Sequence, residues 1–336
     1  MHIFYVNVIE ENAGWGAEWF MNEAFVGLGH TTYCVDYRKH RFGLYEYFVR
    51  APPSDFFFLQ RGDYFPLSLV RAVAIPRFYW ATELVSRRRD QDQLLKSRLF
   101  DHIFLHTREC RDAVVSRGWV DPSKCSVLLN AFDERIYKPV PGVQKDIDIL
   151  LTGNMTPRRL EFLRDLRREF NVVAPERFVP IGDLVVMMNR AKIVLNIHAD
   201  NYPDTETRVY ETLGCGTFLL SERLSVDNPF GNEIIQFDTY EGLASQARYF
   251  LEHEDEREAI ARRCHELALQ NHTYMRRTQE VLETMSKYLD RAGLPKQPVV
   301  KDWRLKVYRL SQPVRHLGWL TLRKARISAA KLLRPM

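Results

Sequence analysis

Several things are missing from this 336-residue chain, and each absence narrows what it can be. No run of about 18 apolar residues occurs, which argues against a membrane-spanning helix. The opening stretch MHIFYVNVIEENAG has neither a basic start nor a small-residue cleavage site, so it reads as a first strand rather than a secretory leader. Cysteine is sparse: Cys34, Cys110, Cys125, Cys215 and Cys264 are odd in number, widely spaced and without a C-x-x-C pair. A disulfide framework, a zinc ribbon and a dithiol redox centre are therefore not expected, and a cytoplasmic location is. The charge imbalance is small too, at +5, and its excess sits in the tail, where ten basic residues from Lys301 to Arg334 face one acid, Asp302. An anionic partner is to be sought there.

What is present is enough for two domains of ordinary size: the length exceeds one average domain, and a hydrophobic fraction of 46% lets each half bury its own core. Ile3 to Val8 is a short apolar run, Ala17 to Leu28 carries Trp19, Phe20, Phe25 and Leu28 at helical spacing and stops at Gly29, and Thr31 to Val35 is β-branched and aromatic. This is a β-α-β start and implies a doubly wound parallel sheet. Asp55 to Gln60, with three consecutive phenylalanines, is continuously apolar and fits a strand covered on both faces. Pro66 to Ala74 reads as helix and Arg77 to Trp80 as strand. The charged stretch Leu84 to Ser97 reads as a solvated helix or loop. Asp101 to His106 and Cys125 to Leu129 are further strands, separated by a helix over Arg108 to Arg117, and the proline-rich Tyr137 to Gly142 is the expected linker. A second β/α half opens with Ile147 to Leu151 running into Thr152-Gly153-Asn154. It continues through helices at Arg158 to Glu169, Gly182 to Arg190, Tyr240 to Glu252 and Glu254 to Gln270, and a last helix over His272 to Ala292.

The stretch richest in chemistry is Asn196 to Glu222, NIHADNYPDTETRVYETLGCGTFLLSE. An apolar run leads into a polar loop, a short helix-like segment holds Glu206, Arg208 and Glu211, and a Gly-Cys-Gly break precedes a second apolar run. At the carboxyl edge of a parallel sheet, such a loop and helix start present free backbone N–H groups to a phosphate-bearing ligand. On their own, Arg208 and Glu211 stand at i and i+3 and can simply pair on a helix surface, worth about 0.2 to 0.5 kcal/mol.

RVYETLGCGTFLL at 208–220 resembles the C-terminal halves of GT-B-fold glycosyltransferases, most nearly the CgeB-like, or spore-protein-type, group with its R-x-[FY]-E pattern, small-residue turn and G-x-x-L-L. Asp146 to Ile149 before Gly153, Asn196-Ile197-His198, and His272-Thr273-Tyr274 with Arg276 and Arg277 fall in the same order. Ser54-Asp55 through Arg61-Gly62 and Tyr79-Trp80 match in the first half, so the resemblance spans roughly residues 1–290. It implies an α/β protein of two Rossmann-like β/α/β domains facing a central cleft. Residues 1–140 would bind the acceptor and 141–290 the nucleotide sugar, followed by a helical, basic amphipathic extension over 291–336.

The implied activity is transfer of a sugar from a nucleotide-diphosphate donor, with UDP the expected nucleotide, to a glycan or lipid-linked acceptor. Glu211 matches the glutamate that accepts from both ribose hydroxyls, a task suited to a carboxylate. Arg208, near a helix start, is the expected diphosphate ligand. Gly153, Asn154 and Arg158 form a second phosphate-facing group, and His198, Thr205, Glu206 and Thr207 complete the nucleotide-sugar set, with the sugar over the loop His198 to Thr205. Relatives with an E-x7-E pattern carry a further glutamate where Pro203 stands here. In the first domain Gly14 and Gly16 form the corresponding loop, Glu83 is the candidate base for an acceptor hydroxyl if configuration is inverted, and His106 either touches substrate or is a structural histidine. No D-x-D-like strand end is found, Asp90-Gln91-Asp92 lying in the charged run, so no metal or other cofactor is expected. The tail 301–336, with Trp303 and Trp319 among its basic residues, suits an anionic membrane surface or packs back on the first domain; nucleic acid is not the expected partner. A non-catalytic nucleotide- or glycan-binding protein on the same scaffold, and a nucleic-acid-directed transferase, are the alternative readings.

Overall fold

A computed structural model describes residues 1–10, 15–85, 89–176, 178–200, 202–292 and 300. Gly14 and the tail 301–336 lie outside the described residues, as does the extension from 291 except for Arg291, Ala292 and Val300. The chain divides into two compact units, one formed by Met1–Leu128 with the chain from Leu282 on, the other by Leu129–Val281.

In the first unit, β1 (His2–Asn7), α1 (Ala17–Gly27), β2 (Thr31–Asp36), α2 (Leu44–Val49), β3 (Phe56–Gln60), α3 (Leu67–Ala72), β4 (Arg77–Ala81), α4 (Asp92–Leu95), β5 (His102–Leu105), α5 (Arg108–Ser116) and β6 (Cys125–Val127) follow one another. The strands make one six-stranded sheet in the order β2-β1-β3-β4-β5-β6, with every pairing parallel. β3 is buried at all five positions, the two-sided cover that its uninterrupted apolar sequence requires. Phe4, Phe48 and Phe57 meet edge to face on one side, Tyr5, Phe25 and Phe58 on the other. The charged stretch 84–97 is not the solvated face its composition implies. Its apolar members Leu84, Val85, Leu94 and Leu95 are buried together with Gln91, and Leu94 lies over Gly62, where an added Cβ would meet its Cδ1 at 2.7 Å.

The second unit holds β7 (Ile147–Leu151), α6 (Pro157–Leu166), β8 (Val172–Val173), α7 (Ile181–Arg190), β9 (Ala191–Asn196), α8 (Thr207–Gly214), β10 (Phe218–Glu222), β11 (Ile235–Phe237), α9 (Tyr240–Glu252) and α10 (Glu254–Asn271). Its sheet is again parallel, in the order β11-β10-β9-β7-β8. Both units are thus Rossmann-like. The last helix, α11 (Tyr274–Ala292), starts in the second unit and ends in the first. It starts two residues later than the pattern implies, because His272 and Thr273 are taken up elsewhere: the His272 carbonyl accepts from Phe132 N–H at 3.1 Å, and Phe132 bridges to Thr273. Among the described residues, no helix is long and apolar enough to cross a membrane.

Candidate functional site

In the second unit the carboxyl ends of β7, β9 and β10 and the start of α8 come together. β7 and β9 are direct neighbours, Leu151 pairing with Leu195, and β9 and β10 are neighbours, Asn196 pairing with Ser221. Three loops therefore leave the sheet side by side: Thr152 to Thr156 after β7, Ile197 to Glu206 after β9, and the chain after Glu222. α8 begins at the end of the second of these. Its cap, Glu206, is extended and makes no side-chain bond to the helix N–H groups; its carbonyl accepts from Val209 N–H at 3.0 Å, which leaves the N–H groups of Thr207 and Arg208 at the positive dipole end without a partner among the described residues. The helix stops where Gly216 turns left-handed at φ +65°, with Gly216 N–H bonding Leu213 and Thr217 N–H bonding Thr212. Gly214 is demanded by packing, since a Cβ there would lie 2.4 Å from the Phe132 ring.

Arg208 crosses from α8 to the β7 loop. Its Nε donates to Thr152 Oγ1 at 3.0 Å and its Nη1 to Asn196 Oδ1 at 3.0 Å, while Asn196 in turn donates to Ser221 Oγ at 2.9 Å. Nη2 has no hydrogen-bond partner among the described residues and lies against Gly153, where an added Cβ would sit 2.3 Å from it. Gly153 itself is left-handed at φ +97°. The guanidinium is thus fixed by two neutral oxygens and turns its remaining amino group to the loop. Arg208 and Glu211 do not pair with each other; they face separate partners.

Arg159, which the sequence reading did not single out, is the second arginine of the group. It is 2% exposed and ties the loops together, with Nε to the Ile197 carbonyl at 2.8 Å, Nη1 to the Asn154 carbonyl at 2.9 Å and Nη2 to Glu206 Oε2 at 3.4 Å. Burial, and next the charge of Arg208, lower its pKa to about 10 against the pull of Glu206. The signal for it was only a doubled arginine after Pro157, and the expectation went to its neighbour. Arg158 is instead clasped by Glu222: its Nη2 bonds Oε1 and its Nη1 donates to Oε2 at 2.9 Å, and Nη1 also reaches the His198 carbonyl at 3.1 Å. That carboxylate answers its charge.

Glu206 is the acid among these cations. It stands 3.5 Å from His198 Nδ1, 3.4 Å from Arg159 and 3.7 Å from Arg208. Burial alone would raise its carboxyl; the contacts to His198, Arg208 and Arg159 outweigh that and hold its pKa at about 2. His198 is buried, with Nε2 at 2.8 Å from the Arg223 carbonyl and its backbone N–H on Glu222 Oε2 at 2.9 Å. Thr205 meets Ser225 at 2.9 Å, and Thr207 and Asn154 are exposed at the mouths of their loops. Pro203, also exposed, has no carboxylate to offer.

One turn along α8, Glu211 is half-buried. Tyr137 donates to its Oε1 at 3.0 Å, whereas Oε2 accepts no bond from any described residue. Enclosure by the protein raises its pKa, opposed by the Tyr137 bond and by Arg208. Behind it, Arg277 pins the chain after β6 through the Leu129 carbonyl at 3.0 Å and bonds His272 Nδ1 at 2.6 Å. Burial and Arg277 hold His272 neutral, with a pKa lowered to about 3.

The first-unit candidates fall at the carboxyl ends of its sheet. Gly16 precedes α1 with φ +93°. Ala81 pairs with Leu105, so the segments carrying Glu83 and His106 leave the sheet side by side. Glu83 accepts from Arg61 Nη2 at 3.3 Å, and the same arginine reaches the buried Glu18 at 3.4 Å and Asp63 at 3.8 Å. Arg61, left-handed at φ +73°, is the organiser of this acidic group, and the Arg-Gly pair in the sequence is its only trace. His106 is 3% exposed.

Among the described residues, no group of three or more His, Cys, Asp or Glu side chains is arranged to hold a metal ion.

Residues 135–283 match a family described as glycosyl transferase-like. No curated protein matches the chain in sequence. Among solved structures, a glycosyltransferase from Rickettsia africae is similar with a TM-score of 0.65 at 11% identity, over 87% of this chain and 99% of that one. Sucrose-phosphate synthase of Thermosynechococcus elongatus has a TM-score of 0.63 at 10% identity, over 87% of this chain and 100% of that one. HepE of Anabaena, solved with UDP and glucose, has a TM-score of 0.62 at 13% identity, over 85% of this chain and 100% of that one. At such identities the likeness carries the fold. The fold so defined is the GT-B one: two Rossmann-like units, the second of them matched over residues 135–283 by the glycosyl transferase-like model.

Proposed function

We propose that the protein transfers a sugar from a nucleotide-diphosphate sugar, with UDP as its nucleotide, to a hydroxyl of a glycan or lipid-linked acceptor. The observation that carries this reading is α8: among the described residues, Arg208 Nη2, over Gly153 at the helix start, and one carboxylate oxygen of Glu211, one turn on, have no hydrogen-bond partner. A diphosphate spans the first, and a ribose diol meets the second. The UDP and UDP-glucose complexes of HepE support a uridine donor. The CgeB-like group is the subfamily we favour, on the motif order described above.

The donor's negative charge falls to Arg208 and the dipole of α8, with Arg159 behind them, so we propose transfer without a metal. A chelator should leave turnover intact, and loss of turnover restored by a divalent cation contradicts that part. Gly153, Asn154, His198, Thr205 and Thr207 line the donor loops, while Arg158 acts on them through Glu222. On the acceptor side we propose Glu83 as the base and His106 and Gly16 as neighbours. Glu83→Gln should lower turnover at least tenfold without weakening the donor. The basic tail 301–336 is proposed to bind anionic membrane, tested by sedimentation with acidic vesicles with and without those residues.

A thermal-shift screen against UDP, GDP, CMP and TDP sugars tests the donor reading: stabilisation by uridine nucleotides is expected, and indifference to all of them sinks it. Pro203 favours a second reading, a nucleotide-binding protein without transfer. Hydrolysis or transfer of a bound donor by the purified protein separates the two.

A further inference from the structure

We infer that His198 is a positioning residue of the donor site: as an imidazolium it shares the Glu206 carboxylate with Arg159 and Arg208, and so keeps Arg208 Nη2 open for a donor phosphate. The ligand in this inference rests on the donor reading; the charge state rests on geometry alone. His198 is 3% exposed, and both of its ring nitrogens face acceptors, the Arg223 carbonyl at 2.8 Å from Nε2 and Glu206 Oε1 at 3.5 Å from Nδ1. A neutral ring has a single N–H. Given to the carbonyl, it leaves the buried Nδ1 as a lone pair 3.5 Å from a half-buried carboxylate, with no hydrogen-bond partner among the described residues; given to the carboxylate, it leaves a lone pair facing the carbonyl. Only the doubly protonated ring suits both.

The ring is enclosed, at 3% exposure, and the backbone that carries it is tied on both sides. The N–H donates to Glu222 Oε2 at 2.9 Å, and the carbonyl accepts from Arg158 Nη1 at 3.1 Å. The charged groups facing it are Glu206 from the start of α8, Glu222 from the end of β10, and Arg158 and Arg159 from α6, with Arg208 beyond Glu206. Glu222 is engaged by Arg158, which leaves Glu206 as the counter-ion of the ring. Glu206 also lies 3.4 Å from Arg159 and 3.7 Å from Arg208 Nη1. When His198 loses its proton, Glu206 is drawn toward the arginines and the cluster loses one positive charge. Both changes oppose a phosphate on Arg208. Consistently, Glu206 and the Arg223 carbonyl outweigh burial and raise the pKa of the ring above 6.5.

UDP-glucose separates this from other effects, because its two phosphates carry no titratable proton between about pH 6 and about pH 8.5, and uridine carries no phosphate. Calorimetry on the full chain should find UDP-glucose bound about fivefold more weakly at the upper pH, with uridine bound equally at both. His198→Gln can still donate to the Arg223 carbonyl but has no charge. It should bind UDP-glucose at the weaker level throughout, with no pH slope. A flat wild-type profile, or a slope that survives in His198→Gln, overturns the inference. If His198→Gln does not fold, Glu206→Gln replaces it, and the His198 ring, followed by NMR, should titrate at lower pH than in the wild type; an unmoved midpoint overturns the pairing. If UDP-glucose binds at no pH, the donor reading fails by itself, and the inferred charge state stands or falls on whether the His198 midpoint lies above about 6.5.

Discussion

Gly153→Ala puts the donor site to a graded test. The residue holds φ at +97°, and an added Cβ would stand 2.3 Å from Arg208 Nη2 and 3.1 Å from Arg159 Nη1. The left-handed backbone alone costs a non-glycine residue about 1 to 2 kcal/mol. Arg208 cannot yield for nothing, because its Nε and Nη1 are held at 3.0 Å by Thr152 and Asn196, and a hydrogen bond to a charged group is worth about 1.5 to 3 kcal/mol. Losing one of them brings the total to about 2.5 to 5 kcal/mol, or a drop in Tm of the order of 5 to 15 °C for a unit of this size. Gly142→Ala is the control: its φ is +76°, yet nothing lies within 4 Å of the added Cβ, so only the backbone cost applies. Melting and UDP titration should show Gly142→Ala losing about 1 to 2 kcal/mol of stability with normal UDP affinity, and Gly153→Ala losing more stability and at least tenfold in affinity. Equal behaviour of the two in both assays refutes the cradle between Gly153 and Arg208.

Glu211→Ala should weaken UDP at least tenfold in calorimetry while leaving a nucleotide without ribose hydroxyls unaffected, since the lost carboxylate serves only the diol. Glu206, with a pKa of about 2 against an ordinary 4.5, contributes stability that is full above pH 4.5 and fades as the pH falls toward 2. Roughly 3 kcal/mol is lost across that window in acid melts, and Glu206→Gln should flatten it. Gly214→Ala drives a methyl to within 2.4 Å of the buried Phe132 ring, and should cost about 1 to 3 kcal/mol by denaturant unfolding, through overpacking rather than backbone strain.

The two-unit α/β architecture was legible because its signals are local. Three phenylalanines in a row at 56–58 report a strand buried on both faces, and Gly216 reports the left-handed stop of α8. Of the candidate site, the sequence points to residues that share one segment: Glu206, Arg208 and Glu211 lie within a single loop and helix. What escaped notice was what that segment touches. Arg159 reads as one of two adjacent arginines, and which of them turns inward depends on the orientation of α6 over β7 and β9. Tyr137 sits in a stretch whose prolines identify it only as a linker, 74 residues before its partner Glu211. The burial of Leu84, Val85, Leu94 and Leu95 was hidden by the charges between them, which set the composition of the window but not the direction of its side chains.

The most direct measurement is a structure of the protein with UDP bound. The expected result places the ribose hydroxyls on Glu211 Oε2 and the diphosphate on Arg208 Nη2, above Gly153 and the first turn of α8. UDP bound elsewhere, with Glu211 still held by Tyr137 and Arg208 by Thr152, Asn196 and Glu206, would contradict it.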